Sequence, residues 1–231
     1  MWFVDILFPR QCFVCWENWN YLCNECKKQL SFHPEVCPWC LELSKNFRLC
    51  STCKTTTDLS IEWVVITYTY STEIKKLVSS FKYSHAKDIG NFLSEKMYLS
   101  LASNTSISFK NTFISFVPMH WIKKHFIRWY NPAEVLAGWV SDLSNLPLIR
   151  FINKTKLTLS QTYFGRRWRL SNVSSSIWLD DLDLSWYENL ILVDDIYTTW
   201  ATIKQISSII KTYYPHIKIW WCVLARHLKK N

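Results

Sequence analysis

The sequence predicts an α/β protein with a mainly parallel sheet and flanking helices, preceded by a small zinc-binding module. Strand and helix patterns alternate after residue 58, whereas eight of the nine cysteines occur before it in C-x-x-C pairs. We therefore expect a cysteine-rich module at residues 1–58 and an α/β domain at residues 59–231. With 49% hydrophobic and 16% aromatic residues, the 231-residue chain can bury a core, and a largely disordered protein is excluded.

The cysteine pairs predict two structural Zn²⁺ ions. A C-x-x-C turn brings two thiolates to one metal, and two such turns complete a closed tetrahedral site. Sequential, nested and crossed pairings of the four turns all fit the spacing. Disulfides are disfavoured because we expect no secretory signal from residues 1–10, and four pairs exceed one redox site. The expected ligands are Cys12, Cys15, Cys23, Cys26, Cys37, Cys40, Cys50 and Cys53.

Apolar runs predict the strands of the second domain. Residues 61–70, 112–117 and 217–224 are rich in β-branched and aromatic side chains, which is typical of strands. Residues 190–193 form a continuous apolar run, as expected of a parallel strand that is buried on both faces. The ninth cysteine, Cys222, lies in the last of these strands, where we expect a small buried hydrophobic residue.

Helical spacing separates these strands. One helix is expected from Thr72, with Ile74, Leu77, Val78 and Phe81 facing the core, and a second over residues 89–97. Asn131 and Pro132 predict an N-cap and a first helical position. The buried stripe expected for that helix is Val135, Leu136, Trp139, Val140 and Leu143, and the stripe expected for the helix after residue 200 is Ile203, Ile206, Ile210 and Tyr213.

The segment from residue 190 to residue 202 carries the chemistry. A buried strand delivers Asp194 and Asp195 to its carboxyl end, where open α/β sheets bind their ligands. A hydroxyl-rich turn with Thr198, Thr199 and Thr202 then opens into a helix, whose free N–H groups favour a phosphate. Because paired carboxylates accept hydrogen bonds from a diol, the segment predicts a site for a phosphorylated ribose.

This segment, V-D-D-I-Y-T-T-W-A-T, resembles the phosphoribosyl-pyrophosphate (PRPP) signature of type I phosphoribosyltransferases, V-D-D-x-x-T-T-G-A-T. The resemblance implies that Asp194 and Asp195 hold the ribose hydroxyls. The residues implied to surround the 5′-phosphate are Tyr197, Thr198, Thr199, Trp200, Ala201 and Thr202. Trp200 stands where the family has glycine, and an indole there is expected to obstruct the close approach of the backbone to phosphate.

Together with the four cysteine pairs, this signature resembles the ComF family. Further matching runs are V-P-M-H at residues 117–120, R-W-Y-N at 128–131, and the T-x-x-Q…R-x-x-N spacing over 158–172. The resemblance implies a type I phosphoribosyltransferase fold that binds Mg²⁺–PRPP, in DNA uptake during natural transformation or in nucleotide metabolism. Both a phosphoribosyltransferase and a PRPP sensor fit, so whether the chain is an enzyme stays open.

A basic cluster follows the middle of the chain. Residues 1–58 are formally neutral, so residues 59–231 carry the whole net charge of +9. The cluster comprises Lys123, Lys124, Arg128, Arg150, Lys154, Lys156, Arg166, Arg167 and Arg169. In type I phosphoribosyltransferases the corresponding region binds pyrophosphate, which implies Arg128 as the candidate catalytic ligand of the leaving group, beside Asp194 and Asp195.

A second interpretation of the cluster is a noncatalytic adaptor that binds single-stranded DNA or a DNA-uptake helicase. Basic residues interleaved with aromatic stacking platforms are typical of single-strand binding. The candidate platforms are Trp129, Tyr130, Tyr163, Phe164 and Trp168. No apolar run reaches the roughly 18 residues of a membrane span, so we expect a cytoplasmic protein without membrane insertion.

The balance of tryptophan and glycine is unusual. The chain has 14 tryptophans and 3 glycines, whereas about 16 glycines are expected at an average usage of about 7%. Several tryptophans, Trp200 among them, stand where local chemistry favours glycine. One hypothesis is that UGA codons, which encode glycine in some bacterial lineages, are written here as tryptophan. The alternative is a genuinely tryptophan-rich protein.

Overall fold

The main sheet of the described residues has four parallel strands. The computed structural model describes residues 10–17, 20–56, 61, 63–83, 87–119, 130–154, 177–197 and 200–227. The strands are β1 (Trp63–Thr69), β2 (Thr112–Phe116), β5 (Asn189–Tyr197) and β6 (Lys218–Arg226), in the order β1-β6-β5-β2. Each neighbouring pair is parallel. The predicted α/β class with a mainly parallel sheet is therefore confirmed.

Of the helices in the described residues, two short ones precede β1, and the other four lie between strands, as the sequence predicts. These helices are α1 (Asn24–Lys28), α2 (Ser51–Thr56), α3 (Thr72–Tyr83), α4 (Lys87–Ala102), α5 (Pro132–Ser144) and α6 (Trp200–Tyr213). A short 3-10 turn spans Lys45–Phe47. Strands β3 (Ile152–Lys154) and β4 (Ile177–Leu179) form a separate antiparallel pair that the sequence analysis did not predict. Neither has a long apolar run to identify it.

The core is centred on β5 and β6. Residues 190–193 of β5 are at most 1% exposed, as expected of a strand covered on both faces. Cys222 in β6 is also fully buried, which confirms its expected role. All four apolar residues predicted for the inner face of α3 are buried. No helix in the described part of the chain is both long and apolar enough to cross a membrane.

Two expected helix faces are partly wrong. Helix α5 begins at the predicted cap, where the Asn131 side chain accepts a hydrogen bond from the Ala133 backbone. Its buried face combines Leu136 and Val140 with small residues, Ala133 and Ala137, that lie on the same side. Val135, Trp139 and Leu143 are not fully buried, and Leu143 is exposed. In α6 the three predicted isoleucines, Ile203, Ile206 and Ile210, are buried, but Tyr213 in the last turn is exposed.

The cysteine-rich part of the chain covers one edge of the sheet. The backbone around Phe32 runs antiparallel to β1: His33 N–H donates to the Thr67 carbonyl and Thr69 N–H donates to the Ser31 carbonyl, each at 3.0 Å. The Phe32 ring also stacks on Tyr68, with 5.0 Å between ring centroids. Because β1 is the end strand of the described sheet, this pairing satisfies backbone groups that an open edge would expose.

Candidate functional site

The two predicted carboxylates emerge where the neighbouring strand stops. Strand β2 ends at Phe116, which lies opposite Val193 of β5, whereas on the other side β6 continues to Arg226 opposite Tyr197. Asp194 and Asp195 therefore extend beyond β2 at the carboxyl edge of the sheet and are half-buried. This is the position at which open α/β sheets bind ligands.

Asp195 forms an ion pair with Lys82 near the end of α3. Both side chains are mostly shielded, with 13% of the Lys82 side chain and 17% of the Asp195 side chain exposed. Each aspartate also accepts a backbone hydrogen bond: Asp194 Oδ1 from Asp195 N–H at 2.8 Å, and Asp195 Oδ1 from Ile196 N–H at 2.7 Å. These contacts hold the two carboxylates in fixed orientations.

The pKa of Asp194 is displaced from its ordinary value. Burial raises its pKa well above the ordinary value, and the charge of Asp195 adds to the rise, while Lys82 opposes it. Tyr70, which follows β1, also has a raised pKa, first through burial and then through the charge of Asp195. Asp195 thus interacts electrostatically with groups at the ends of β1, β5 and α3. Displaced pKa values of this kind cluster at functional sites.

The predicted phosphate-binding segment is described at its two ends. Tyr197 is buried at the end of β5, and Trp200 begins α6. Ala201 is exposed and Thr202 is half-buried in the first turn of that helix. Thr198 and Thr199 lie outside the described residues, so their predicted contacts with phosphate stay predictions.

Most of the predicted basic cluster, Arg128 included, also lies outside the described residues. Of its nine members the structure describes two: Arg150, whose Nε donates to Glu134 at 2.8 Å, and Lys154 in β3. Tyr130 is the only described member of the candidate stacking platforms. Its hydroxyl donates to the Phe81 carbonyl, and its ring packs edge-on against Phe81 at 5.9 Å. This half-buried ring is held by α3.

The eight predicted metal ligands form two groups with sequential pairing. Within each group the four sulfur atoms lie within 4.8 Å of one another. The Cys15–Cys23 and Cys40–Cys50 sulfur atoms are 3.7 and 3.8 Å apart. A tetrahedral zinc site with Zn–S bonds of about 2.3 Å has an S–S spacing of about 3.8 Å. The donors therefore fit two zinc ions. The first group is Cys12, Cys15, Cys23 and Cys26, and the second is Cys37, Cys40, Cys50 and Cys53.

The two groups are structural repeats of each other. In the first, Cys12 N–H donates to the Glu17 carbonyl at 2.8 Å; in the second, Cys37 N–H donates to the Glu42 carbonyl at 2.7 Å. The residue after each leading C-x-x-C turn has positive φ, 67° in Trp16 and 64° in Leu41. A short helix, α1 or α2, carries the last cysteine of each group. The C-x-x-C pairs are evident from the sequence, whereas this larger repeat is not predicted from it.

Within each group, hydrogen bonds lower the thiol pKa of one cysteine, and burial raises that of another. The pKa of Cys12 is lowered to about 6, because its backbone hydrogen bonds outweigh the effect of burial. The pKa of Cys50 is lowered to about 7 by hydrogen bonds from the backbone and the side chain of Cys53. Burial and neighbouring thiols raise the pKa of Cys26 and of Cys53. A bound zinc ion would supply the positive charge that four clustered thiolates need.

The second cysteine group contacts Tyr197, the first residue of the predicted phosphate-binding segment, through Arg226. This arginine ends β6 and is 2% exposed. Its guanidinium donates to the carbonyl of Pro38, which lies between Cys37 and Cys40, and sits 4.2 Å from the Tyr197 ring centroid. Lys82 and Arg226, which both contact this region, are not predicted from the sequence. No local motif marks either one, because β-strand register and helix packing bring them to the site.

The chain is similar in sequence to proteins named for competence and for DNA utilization. The chain is 27% identical to Competence protein F of Haemophilus influenzae, across 92% of this chain and 96% of that protein. It is 23% identical to the DNA utilization protein YhgH of Escherichia coli K12, with coverages of 87% and 91%. It is 25% identical to Competence protein ComFC of Bacillus subtilis, with coverages of 79% and 73%. No protein-family model matches the chain. These homologues confirm the predicted resemblance.

Proposed function

We propose that this chain, a homologue of the ComF proteins, acts in DNA uptake or DNA utilization and binds Mg²⁺–PRPP at the carboxyl end of β5. The names of its relatives support the first part, since they refer to competence and to DNA utilization. The second part rests chiefly on one observation. Asp194 and Asp195 extend past the end of β2 and lead directly to the segment before α6.

The geometry suits a ribose 5-phosphate group. Two fixed carboxylates accept hydrogen bonds from the 2′- and 3′-hydroxyls, while the first turn of α6 offers free N–H groups to the phosphate. Lys82 is bound to Asp195 and keeps positive charge at this edge of the sheet. Mg²⁺ would enter with the pyrophosphate as part of the substrate, and Arg128 is the proposed pyrophosphate ligand. Zinc in the two cysteine groups is structural, because four thiolates leave no open coordination position.

Calorimetric titration of Mg²⁺–PRPP into the zinc-loaded protein tests this proposal. We expect binding by the Trp200→Gly variant, and at least tenfold weaker binding by the chain as written, because an indole hinders the approach of the phosphate to the backbone. Adding Asp195→Asn to the glycine variant is expected to abolish binding. The matched control is Glu188→Gln, which removes a carboxylate just before the opposite end of β5 and should leave binding unchanged.

Three outcomes distinguish the alternatives. Equal binding by both forms would refute the steric argument at residue 200 while supporting the site. Loss of binding in the Glu188 control would show that the effect is not specific to the site. If neither form binds PRPP, the proposed site is wrong, and salt-sensitive binding of a single-stranded oligonucleotide that ignores PRPP would then favour the DNA-binding adaptor.

A further inference from the structure

Arg226 is a buried cation shared by two parts of the molecule. It ends β6, where its register partners are Thr69 of β1 and Tyr197 of β5. Among the described residues it forms no ion pair with a carboxylate, although it is 2% exposed. A buried guanidinium is costly unless other groups compensate its charge. The groups that contact the Arg226 guanidinium therefore indicate the role of this buried charge.

Two of its contacts connect the second cysteine group to the candidate phosphate segment. The guanidinium donates to the Pro38 carbonyl, inside the turn between Cys37 and Cys40. The guanidinium also lies over the face of the Tyr197 ring. Its carbon is 4.2 Å from the ring centroid, which is a close cation–π distance. Tyr197 is itself the last residue of β5, immediately before the predicted phosphate-binding threonines.

The charge of a zinc-loaded site complements Arg226. Four thiolates around one Zn²⁺ leave a net charge of about −2. Burial lowers the pKa of Arg226, and the nearby charges of Tyr197 and Cys37 oppose that shift. A second contact reinforces the connection: the rings of Trp39 and Trp200 lie 4.9 Å apart. The contacts of Arg226 with Pro38 and Tyr197 involve no tryptophan, so they are the same whether residue 200 is tryptophan or glycine.

We propose that Arg226 is a positioning residue that couples zinc binding in the second cysteine group to Mg²⁺–PRPP binding at the carboxyl end of β5, where it contacts Tyr197. This inference rests on the proposed function and adds a regulatory connection to it. Zinc holds the Cys37–Cys40 turn, the Pro38 carbonyl holds the guanidinium, and the guanidinium holds Tyr197. Because such coupling is reciprocal, PRPP must also tighten zinc binding at that group.

The first test uses Arg226→Lys and Arg226→Met in the zinc-loaded Trp200→Gly protein. Lysine keeps the charge but loses the planar fork and its stacking on tyrosine. We expect PRPP affinity to fall at least tenfold in both variants, with far-UV circular dichroism unchanged. The matched control is Arg48→Met, which removes another arginine–aromatic contact, with Trp63 at 6.0 Å, at the amino end of β1. It should leave PRPP affinity within twofold of the parent.

The second test measures zinc release to a chromogenic chelator. In the parent protein, saturating Mg²⁺–PRPP should slow the release of one of the two zinc ions at least threefold. Arg226→Met should speed release of one ion and remove the effect of PRPP. This readout needs no catalytic activity, and its measurement on the parent remains decisive if the methionine variant fails to fold.

The outcomes separate the two proposals. If the parent binds PRPP and both Arg226 variants bind it equally well, the coupling is wrong and the proposed function stands. If PRPP binds but leaves zinc release unchanged, the coupling is likewise overturned. If the parent does not bind PRPP, the proposed function fails, and this inference fails with it. Weaker PRPP binding in the Arg226 variants, together with PRPP-dependent zinc retention in the parent, supports both.

Discussion

At Asp194 the proposed binding of PRPP and the stability of the native state make opposite demands. Burial and the neighbouring charge of Asp195 both disfavour its ionised form, which raises its pKa well above the ordinary value. The native state therefore retains a proton at pH values where the unfolded chain has lost it. This difference favours the native state at low pH, and the advantage is lost as pH rises from about 4 through the raised pKa.

Asp194→Asn should stabilise the protein while abolishing PRPP binding. The amide is isosteric, keeps an oxygen to accept the Asp195 N–H, and carries no charge to bury. We expect the free energy of unfolding at pH 7.5 to rise by about 1 kcal/mol or more, since one unit of pKa shift corresponds to about 1.4 kcal/mol. Urea unfolding between pH 4 and pH 8 should show a smaller loss of stability with rising pH than the parent shows.

Asp195→Asn provides the contrasting control. It removes the partner of Lys82, whose side chain is only 13% exposed, so an ammonium group is left unpaired. We expect the free energy of unfolding to fall by about 1–3 kcal/mol. Equal stability changes in the two variants would contradict the assignment of Asp194 as the strained carboxylate and Asp195 as the paired one.

The conformation of Trp16 bears on the codon hypothesis. Its φ of 67° lies in the left-handed region that favours glycine, and its side chain is 66% exposed, so the indole is not needed for packing. The equivalent residue of the other repeat, Leu41, adopts the same conformation with a side chain. Conformation alone therefore permits both interpretations. UGG codons at most of the fourteen tryptophan positions would exclude misread glycine.

At the level of elements, the pairing of the C-x-x-C turns gives a stoichiometric prediction. With sequential pairing, Cys15→Ser combined with Cys26→Ser damages one group and should leave one zinc ion per chain. Cys15→Ser combined with Cys40→Ser damages both groups and should leave none. Zinc content after gel filtration, measured by atomic emission, provides the test, and the unmodified chain should contain two ions.

The same two variants exclude the other arrangements. In nested or crossed pairings, Cys15 and Cys26 belong to different sites, so their double variant would lose both ions. Retention of one zinc ion in the Cys15/Cys40 variant would likewise contradict sequential pairing. Cys222→Ser is the matched control, since this fully buried cysteine in β6 lies outside both groups and should leave two zinc ions.

Local patterns predicted the elements better than they predicted the contacts between them. The apolar run before Asp194, the spacing in α3 and the cap at Asn131 each depend on residues within one turn or one strand. The pairing of cysteine turns depends on the path of the chain between them, which spacing does not encode. Lys82 meets Asp195 only because α3 packs beside the end of β5. Short antiparallel strands such as β3 are too brief to give a periodic signal.

For the whole molecule, the cysteine-rich part acts as an integral layer of the structure. It pairs with β1 through the backbone around Phe32, and its Pro38 carbonyl binds the buried Arg226. The first cysteine group is also attached to the helices, since Lys76 Nζ of α3 donates to the Val14 carbonyl at 2.8 Å. Loss of the metal would therefore expose the backbone edge of β1 and leave the buried Arg226 without its Pro38 acceptor.

Zinc removal should accordingly lower the stability of the whole chain in one step. We expect calorimetry of the zinc-loaded protein to show a single unfolding transition, because the cysteine-rich part shares hydrogen bonds with β1, α3 and β6. Chelation should move that transition to lower temperature by at least 10 °C, and readdition of zinc should restore it. Two separate transitions, with chelation affecting only the smaller one, would show instead that the parallel sheet is stable without its zinc-binding layer. The matched control is chelation of the Cys15/Cys40 double variant, whose transition should not move because neither group can hold its ion.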